Sequence, residues 1–208
     1  LEECRNGLEK LCTQLTGIRK KASGTLVKKI RQGLVDLNFL DVEFDMEFEK
    51  LDHFTPSGWD GAQFLISTNP GQPMRPLKDV ASGGELSRIM LAIKTVLADS
   101  DDIPTLIFDE IDTGISGRTA QKVSEKLMLI ARSHQIICIT HLPQIAAMAD
   151  SHFEIAKSAS QGRTITTIRL LDRKASVEEL ARLLGGARIT EAVLKNAGEM
   201  KELADRTK

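Results

Sequence analysis

The feature that most constrains the fold is a strand–helix–strand pattern between residues 105 and 140. Short apolar runs lie at Thr105–Phe108 and Gln135–Thr140, and Thr119–Arg132 between them carries apolar residues at helical spacing. A crossover helix of this length connects parallel neighbouring strands, which are usually buried on both faces. The pattern predicts an α/β fold with a mostly parallel sheet flanked by helices.

Charged side chains follow both strands. Asp109 and Glu110 come directly after the first, and His141 comes directly after the second. Parallel neighbours end at one edge of a sheet, where open α/β folds bind ligands, so we expect these side chains to lie together. Asp109 suits Mg²⁺, which takes few carboxylates, and Glu110 suits the orientation or deprotonation of a water. A hydrogen bond from His141 to phosphate fits the same edge. Two solvated acids at a loop are the alternative.

A second candidate site lies at Ser82-Gly83-Gly84-Glu85. Ser82 and Glu85 have the spacing of a capping box, which predicts the start of a helix. Glycines in a first turn cost helix stability, but they leave the free N–H groups open to close approach. Such a helix start suits an anion. On its own the segment favours the plainer interpretation, an ordinary capped helix after a loop.

The first 31 residues predict a long helix with eight basic and three acidic residues. Apolar or small side chains recur at heptad spacing, as in a coiled coil whose partner helix lies outside this chain: Leu1, Cys4, Leu8, Leu11, Leu15, Ile18 and Ala22. A helix packed on the core is the alternative. No capping motif precedes Leu1, so we expect a helix that continues upstream. The basic residues suit either DNA phosphates or solubility alone: Lys20, Lys21, Lys28, Lys29 and Arg31.

A β-hairpin is predicted after this helix. Residues 41–49 alternate between acidic and apolar, which is typical of a half-buried strand. Its inward side chains are Val42, Phe44, Met46 and Phe48. The other predicted elements are a turn at 55–61, strands at 63–68, 153–156 and 163–171, and helices at 85–98, 176–184 and 190–206. Ser176 and Glu179 form a second capping box. We divide the chain into a helical arm, residues 1–38, and a lobe, residues 39–208.

In order and spacing these segments resemble the motifs of ABC-type ATPases. Residues 81–88 resemble the signature motif, and residues 106–110 resemble a Walker B strand with its catalytic glutamate. Asp112–Ser116 looks like a D-loop, and Thr140-His141 looks like the switch histidine. The ending Glu85–Arg88, the heptad helix and residues 64–73 are more similar to the SMC and RecN branch, which acts in DNA double-strand break repair and recombination. The likeness covers essentially the whole chain.

The resemblance implies a C-terminal lobe of an ATPase head, with a role for each motif residue. Asp109 would bind magnesium, Glu110 would position the attacking water, and His141 would touch the γ-phosphate. Asp112 would help to join two active sites across a dimer. The signature residues would contact the γ-phosphate of ATP held by the opposing head: Ser82, Gly83, Gly84 and Glu85.

The nucleotide-cradling P-loop is missing from this sequence, since the motif requires Gly-Lys and no glycine here is followed by lysine. In the resembled family it lies in an N-terminal lobe. We therefore expect that lobe as a partner, a homodimer through ATP-sandwiched heads, and DNA bound by the complete protein. This chain alone should bind ATP weakly and hydrolyse it negligibly.

Composition argues against several other classes. The net charge of -1 gives no evidence of wholesale nucleic-acid binding. An aromatic fraction of 4% without tyrosine argues against a surface on which bases stack. Three cysteines form no even-numbered framework, which favours a reducing compartment. No apolar stretch approaches the roughly 20 residues of a membrane span. The resemblance implies a cytoplasmic, nucleoid-associated protein. A transporter ATP-binding subunit and a non-catalytic dimerisation or DNA-tethering module stay open as alternatives.

Overall fold

The computed structural model describes residues 1–80, 82–100, 102–160, 163–186 and 188–208. Position 81, where the predicted signature segment begins, lies outside the described residues. The chain divides into two units, Leu1–Asp102 and Ile103–Lys208.

The first unit begins with a 35-residue helix, α1, at Glu2–Asp36. The second half of this helix is packed into the unit, because Ile30 and Leu34 are fully buried. At Gly33 an added Cβ would lie 3.5 Å from the Cβ of Ala92 in helix α2, Gly83–Leu97, so α1 and α2 approach closely there. The first half of α1 instead leaves most of its predicted heptad seam exposed, including Leu8, Leu11 and Ile18.

The predicted hairpin is present but longer than the alternation indicated. Strand β1, Glu43–Thr55, pairs antiparallel with β2, Gly58–Ser67, and the short β3, Arg75–Pro76, pairs with β2. The predicted wide turn at 55–61 is wrong, since the turn occupies only the two residues between β1 and β2. Gly58 has φ +100°, which glycine adopts readily. Short 3₁₀ helices follow at Leu77–Asp79 and Ala98–Ser100.

The tip of the hairpin is fixed to α1 by a buried ion pair. Asp60, with only 4% of its side chain exposed, accepts hydrogen bonds from Thr16 Oγ1 at 2.6 Å and Arg19 Nη1 at 2.8 Å. The hydrogen bond from Thr16 is the main reason that the pKa of Asp60 lies below its usual value, and Arg19 lowers it further against the effect of burial. Trp59 Nε1 also donates to Thr16 Oγ1 at 3.0 Å.

The second unit contains the strand–helix–strand arrangement predicted from the sequence. Strands β4, Thr105–Phe108, and β5, Gln135–Cys138, are parallel, and helix α3, Gly117–Ala131, connects them. The α/β class is therefore confirmed. The expectation that both strand faces are buried is wrong, because Ile107 is 68% and Ile137 is 46% exposed. Strand side chains alternate between faces, and within the described residues the face of Ile107 and Ile137 is not covered.

The rest of this unit is an antiparallel hairpin and three helices. Strands β6 and β7 span Phe153–Ser160 and Arg163–Leu170, and helices α4, α5 and α6 span Pro143–Ala147, Arg173–Gly185 and Glu191–Thr207. The three helices share an apolar cluster that includes Leu180 and Ala197. In the part of the chain that the structure describes, no helix is long and apolar enough to cross a membrane.

The predicted capping box at Ser176 is wrong. Helix α5 begins three residues earlier, where the Asp172 side chain caps it by accepting from the Ala175 amide at 2.8 Å. Ser176 is buried, and its hydroxyl forms a 2.8 Å hydrogen bond with Nδ1 of His152. Asp and Ser are comparable N-caps, so spacing alone did not distinguish the two positions.

Candidate active site

The parallel register of β4 and β5 brings their carboxyl ends to one edge. Phe108 lies beside Cys138, and the Ile139 amide donates to the Phe108 carbonyl at 3.0 Å, extending the pairing by one bond. Asp109 follows at once and is exposed. Its Oδ1 accepts the Glu110 amide at 2.9 Å, which turns the chain away from the strand.

Glu110 has an unusual backbone conformation. Its φ of +58° lies in the left-handed region, which costs a residue with a side chain about 1 kcal/mol or more. Its carbonyl accepts the Thr113 amide at 3.0 Å, closing a tight turn. Glu110 is exposed. Backbone strain of this kind clusters at functional sites, which motivates the assignment of a function to this side chain.

Asp112 links the two strand ends. Only 3% of it is exposed, and its Oδ2 accepts hydrogen bonds from Thr140 Oγ1 at 2.6 Å and from the His141 amide at 2.8 Å. Nδ1 of the His141 ring lies 3.0 Å from the same oxygen, while 72% of the side chain is exposed. The structure thus places His141 directly after β5, hydrogen-bonded to Asp112 in the loop that also carries Asp109 and Glu110.

The sequence analysis named Thr140 only as the residue before His141 and predicted no contact for its side chain. Its hydroxyl donates to Asp112 and also accepts the Leu142 amide at 3.0 Å. Thr140 thereby connects the β4 loop to the start of α4. The only sequence signal for this contact is a hydroxyl residue next to a histidine at a strand end.

The edge is electrostatically negative. The pKa of the Cys138 thiol is raised to about 12, chiefly by burial and then by the charges of Asp112 and Asp109. A field of this sign favours a bound cation. Among the described residues no group of three or more His, Cys, Asp or Glu side chains could hold a metal ion. Mg²⁺ usually takes one or two carboxylates and completes its shell with water and phosphate, so an exposed Asp109 fits that requirement.

The first unit contributes a separate helix start at the predicted position. Helix α2 begins at Gly83, and the exposed Ser82 caps it by accepting the Glu85 amide at 3.4 Å. Gly83 is exposed and Gly84 is buried. The first turn therefore presents Ser82 and Gly83 to solvent, as an anion site at a helix N-terminus requires.

The predicted signature segment also contains a charged residue, Arg88, whose side chain is not on the surface. Arg88 is buried, and its guanidinium lies 5.5 Å from the ring centroid of Phe39. Burial lowers the pKa of Arg88, and the charge of Glu85 opposes that shift. Sequence reasoning placed Arg88 in the signature segment without recognising that it packs inside the unit.

Comparison with known proteins gives a consistent result. No family model matches the chain. The DNA repair protein RecN of Halalkalibacterium halodurans is 43% identical over 208 residues, a match that covers 98% of this chain and 37% of that protein. The DNA repair protein RecN of Bacillus subtilis is 41% identical over 206 residues, covering 92% of this chain and 36% of that protein.

A solved structure supports the fold. The Smc head domain of Pyrococcus yayanosii, crystallised with a coiled coil and joint, is similar with a TM-score of 0.54 and 20% identity. The match covers 78% of this chain and 29% of that chain. At this identity the likeness concerns the fold alone. The chain spans a little over a third of the length of the curated relatives that it matches.

Proposed function

In sequence this chain belongs with the RecN-type DNA repair proteins, of which it spans a little over a third, and we propose that it forms the C-terminal lobe of their ATP-hydrolysing head. Residues 1–38 would be the root of a returning coiled coil, and residues 39–208 would be the lobe itself. The similarity to RecN proteins favours this assignment over the ATP-binding subunit of a transporter.

The observation that carries the proposal is the hydrogen-bonded edge centred on Asp112. It holds the His141 loop beside strand β4, which Asp109 and Glu110 follow directly. Phosphoryl transfer requires the protein to position charged groups rather than to supply covalent chemistry. At this edge the paired strands β4 and β5 hold such groups in place. We assign Glu110 to orient the attacking water, and His141 to donate a hydrogen bond to the γ-phosphate of ATP.

Asp109 would hold a magnesium ion, which neutralises developing phosphate charge when bound. Asp112 is assigned two tasks: contact across the dimer, as the resemblance implies, and support of His141. Its burial favours the second of these within this chain. The exposed first turn of α2 would bind the γ-phosphate of ATP held by the opposing head of a homodimer, through Ser82, Gly83, Gly84 and Glu85.

The proposal requires a second polypeptide segment. The P-loop with its phosphate-binding lysine would come from an N-terminal lobe, so this chain alone is assigned negligible ATPase activity. DNA would be bound by the complete protein, in the cytoplasm at the nucleoid. The Smc structure that is similar in fold is itself a head domain with a coiled coil, which is consistent with this division.

The test is a Glu110→Gln substitution in a protein that includes the P-loop lobe. We expect ATP turnover to fall at least 100-fold, which is the lower range for loss of a group that activates a nucleophile. We also expect ATP-dependent dimers to accumulate, as measured by light scattering. Glu178→Gln is the control, since Glu178 is an exposed helix residue of the same unit. Unchanged turnover would instead favour a non-catalytic dimerisation or tethering module.

A further inference from the structure

The tip of the β1–β2 hairpin holds one face of helix α1. Cys12, Thr16 and Arg19 are spaced four and three residues apart, so they lie on the same side of the helix. Asp60 accepts hydrogen bonds from Thr16 and Arg19, and Arg19 Nη2 also donates to the Ser57 carbonyl at 2.7 Å. We call the contacts of Asp60 and Ser57 with Thr16 and Arg19 the latch.

The hairpin tip also covers apolar surface of α1. A Cβ added at Gly58 would lie 3.1 Å from Leu15 Cδ2, so the turn of the hairpin approaches the helix closely. Cys12 is 6% exposed, and along α1, which the structure describes throughout, it is the only buried residue before Ile30. Since Cys12 lies on the side of the helix that the latch holds, the burial of its thiol reports whether the hairpin tip is in place.

A second set of contacts, which we call the anchor, holds α1 about 17 Å further along the helix at 1.5 Å per residue. Ile30 and Leu34 are fully buried, and Gly33 packs against Ala92 of helix α2. The anchor is apolar and closed to water, whereas the latch depends on polar contacts and leaves 32% of the Arg19 side chain exposed. Water competes for partly exposed ion pairs, so the latch is the weaker attachment.

Between the latch and the anchor the helix has a weak point at Ser23-Gly24. Glycine is a poor helix former, and a Cβ added at Gly24 would meet no atom within 4 Å, so no neighbour packs closely there. Ser23 Oγ donates to the Lys20 carbonyl at 2.9 Å, and a hydroxyl bonded back to the preceding turn favours bending of a helix. Sharp kinks concentrate at Gly/Ser pairs of this kind. Helix α1 is nonetheless continuous across the pair.

We propose that the hairpin tip is a releasable latch for the arm, and that α1 bends at Ser23-Gly24 when the latch opens. A load on the upstream part of the arm acts on both attachments. The polar latch yields before the apolar anchor, and Ser23-Gly24 is the weak point that lies between them. Residues 1–22 then change direction while the anchored end of the helix stays packed in its unit. This device belongs to the chain itself and does not depend on ATP hydrolysis.

Thiol labelling measures latch opening on this 208-residue chain without nucleotide. Cys12 and the exposed Cys4 lie on the same helix, and peptide mass spectrometry gives the ratio of their iodoacetamide labelling rates. Arg19→Gln removes the latch ion pair, and the ratio of Cys12 to Cys4 labelling should rise at least about tenfold, because a buried carboxylate that loses its partner favours the open state. Arg5→Gln is the matched control, since it removes an exposed ion pair with Glu9 upstream of the latch and should leave the ratio unchanged.

Hydrogen exchange of helix α2 distinguishes latch opening from loosening of the whole unit. The amides of α2 should exchange at the same rates in the parent chain and in Arg19→Gln, because the anchor stays packed. Faster exchange of α2 in Arg19→Gln would show that the whole unit has loosened and would overturn the proposal. Unchanged Cys12 labelling in Arg19→Gln, or an equal rise in Arg5→Gln, would overturn it as well.

A second substitution tests the position of the bend. Gly24→Ala places a better helix former where a Cβ has room, so it should lower the Cys12 labelling ratio of the Arg19→Gln chain by about fourfold. Gly7→Ala is the control, since Gly7 is equally open but lies upstream of the latch, and it should leave the ratio unchanged. No effect of Gly24→Ala would mean that the hairpin lifts from an unbent helix, and equal effects of the two substitutions would mean a general gain in helix stability. Either result would overturn the assignment of the bend to Ser23-Gly24.

Discussion

Replacing Asp112 with alanine tests the network on which the site assignment depends. The buried carboxylate accepts the Thr140 hydroxyl at 2.6 Å and the His141 amide at 2.8 Å. Hydrogen bonds to a charged acceptor each contribute about 1.5–3 kcal/mol, and part of that gain offsets the desolvation of the carboxylate. The exposed His141 ring recovers its hydrogen bond from water and adds little. We expect the free energy of unfolding to fall by about 2–4 kcal/mol.

Urea denaturation followed by circular dichroism measures this change. Thr140→Val removes one of the donors and should cost about 1–2 kcal/mol. The double variant should lose less than the sum of the two single variants, by at least about 0.5 kcal/mol, because the residues share a hydrogen bond. A loss below 0.5 kcal/mol for Asp112→Ala, or strict additivity with Thr140→Val, would refute the view that Asp112 holds the His141 loop.

The remaining predictions concern other described residues. Asp60→Asn should remove an acid-sensitive part of the stability. Because the pKa of Asp60 is lowered in the folded protein, its contribution to stability is present above about pH 4 and is lost as the pH falls through the folded value. The urea midpoints of parent and variant should therefore converge as the pH is lowered below about 4, and parallel curves would contradict this. Half-buried Cys138, with its pKa raised to about 12, should resist iodoacetamide at pH 8 while the exposed Cys4 reacts, as peptide mass spectrometry would show. Equal labelling of the two cysteines would contradict the raised pKa of Cys138. Glu110→Gly should have a free energy of unfolding about 1 kcal/mol higher than that of Glu110→Ala, because glycine adopts a φ of +58° without strain. It should therefore unfold at a higher urea midpoint, and equal midpoints would contradict this.

The sequence predicted the elements that local patterns determine. Apolar runs separated by an amphipathic helix predicted the parallel pair β4 and β5, and thereby the edge shared by Asp109, Glu110 and His141. The hydrogen bond between Asp112 and Thr140 was beyond this reasoning. It joins residues 28 positions apart whose side chains meet only after both loops have turned. No periodicity records the direction of those turns.

Burial was the harder property to predict. Helix α1 carries two apolar stripes, and the heptad pattern identified the one through Leu8 and Ile18, which is exposed. The stripe that packs in the unit runs through Ile30 and Leu34. A helical period shows that a face is apolar, but the surface that covers it is set by tertiary packing. For the same reason the strand pattern did not indicate that Ile107 and Ile137 would be exposed.

The most direct test of the central claim is a nucleotide titration of this chain alone and then together with a polypeptide that supplies the P-loop lobe. A P-loop binds the phosphates of ATP through a lysine that follows a glycine, and this chain has no such lysine. It contributes only the exposed helix start at Ser82 and the edge at Glu110 and His141. We expect no ATP binding in the micromolar range and no turnover for the chain alone, and both in the mixture. Micromolar binding or turnover by the chain alone, or a mixture that stays inactive, would contradict the account.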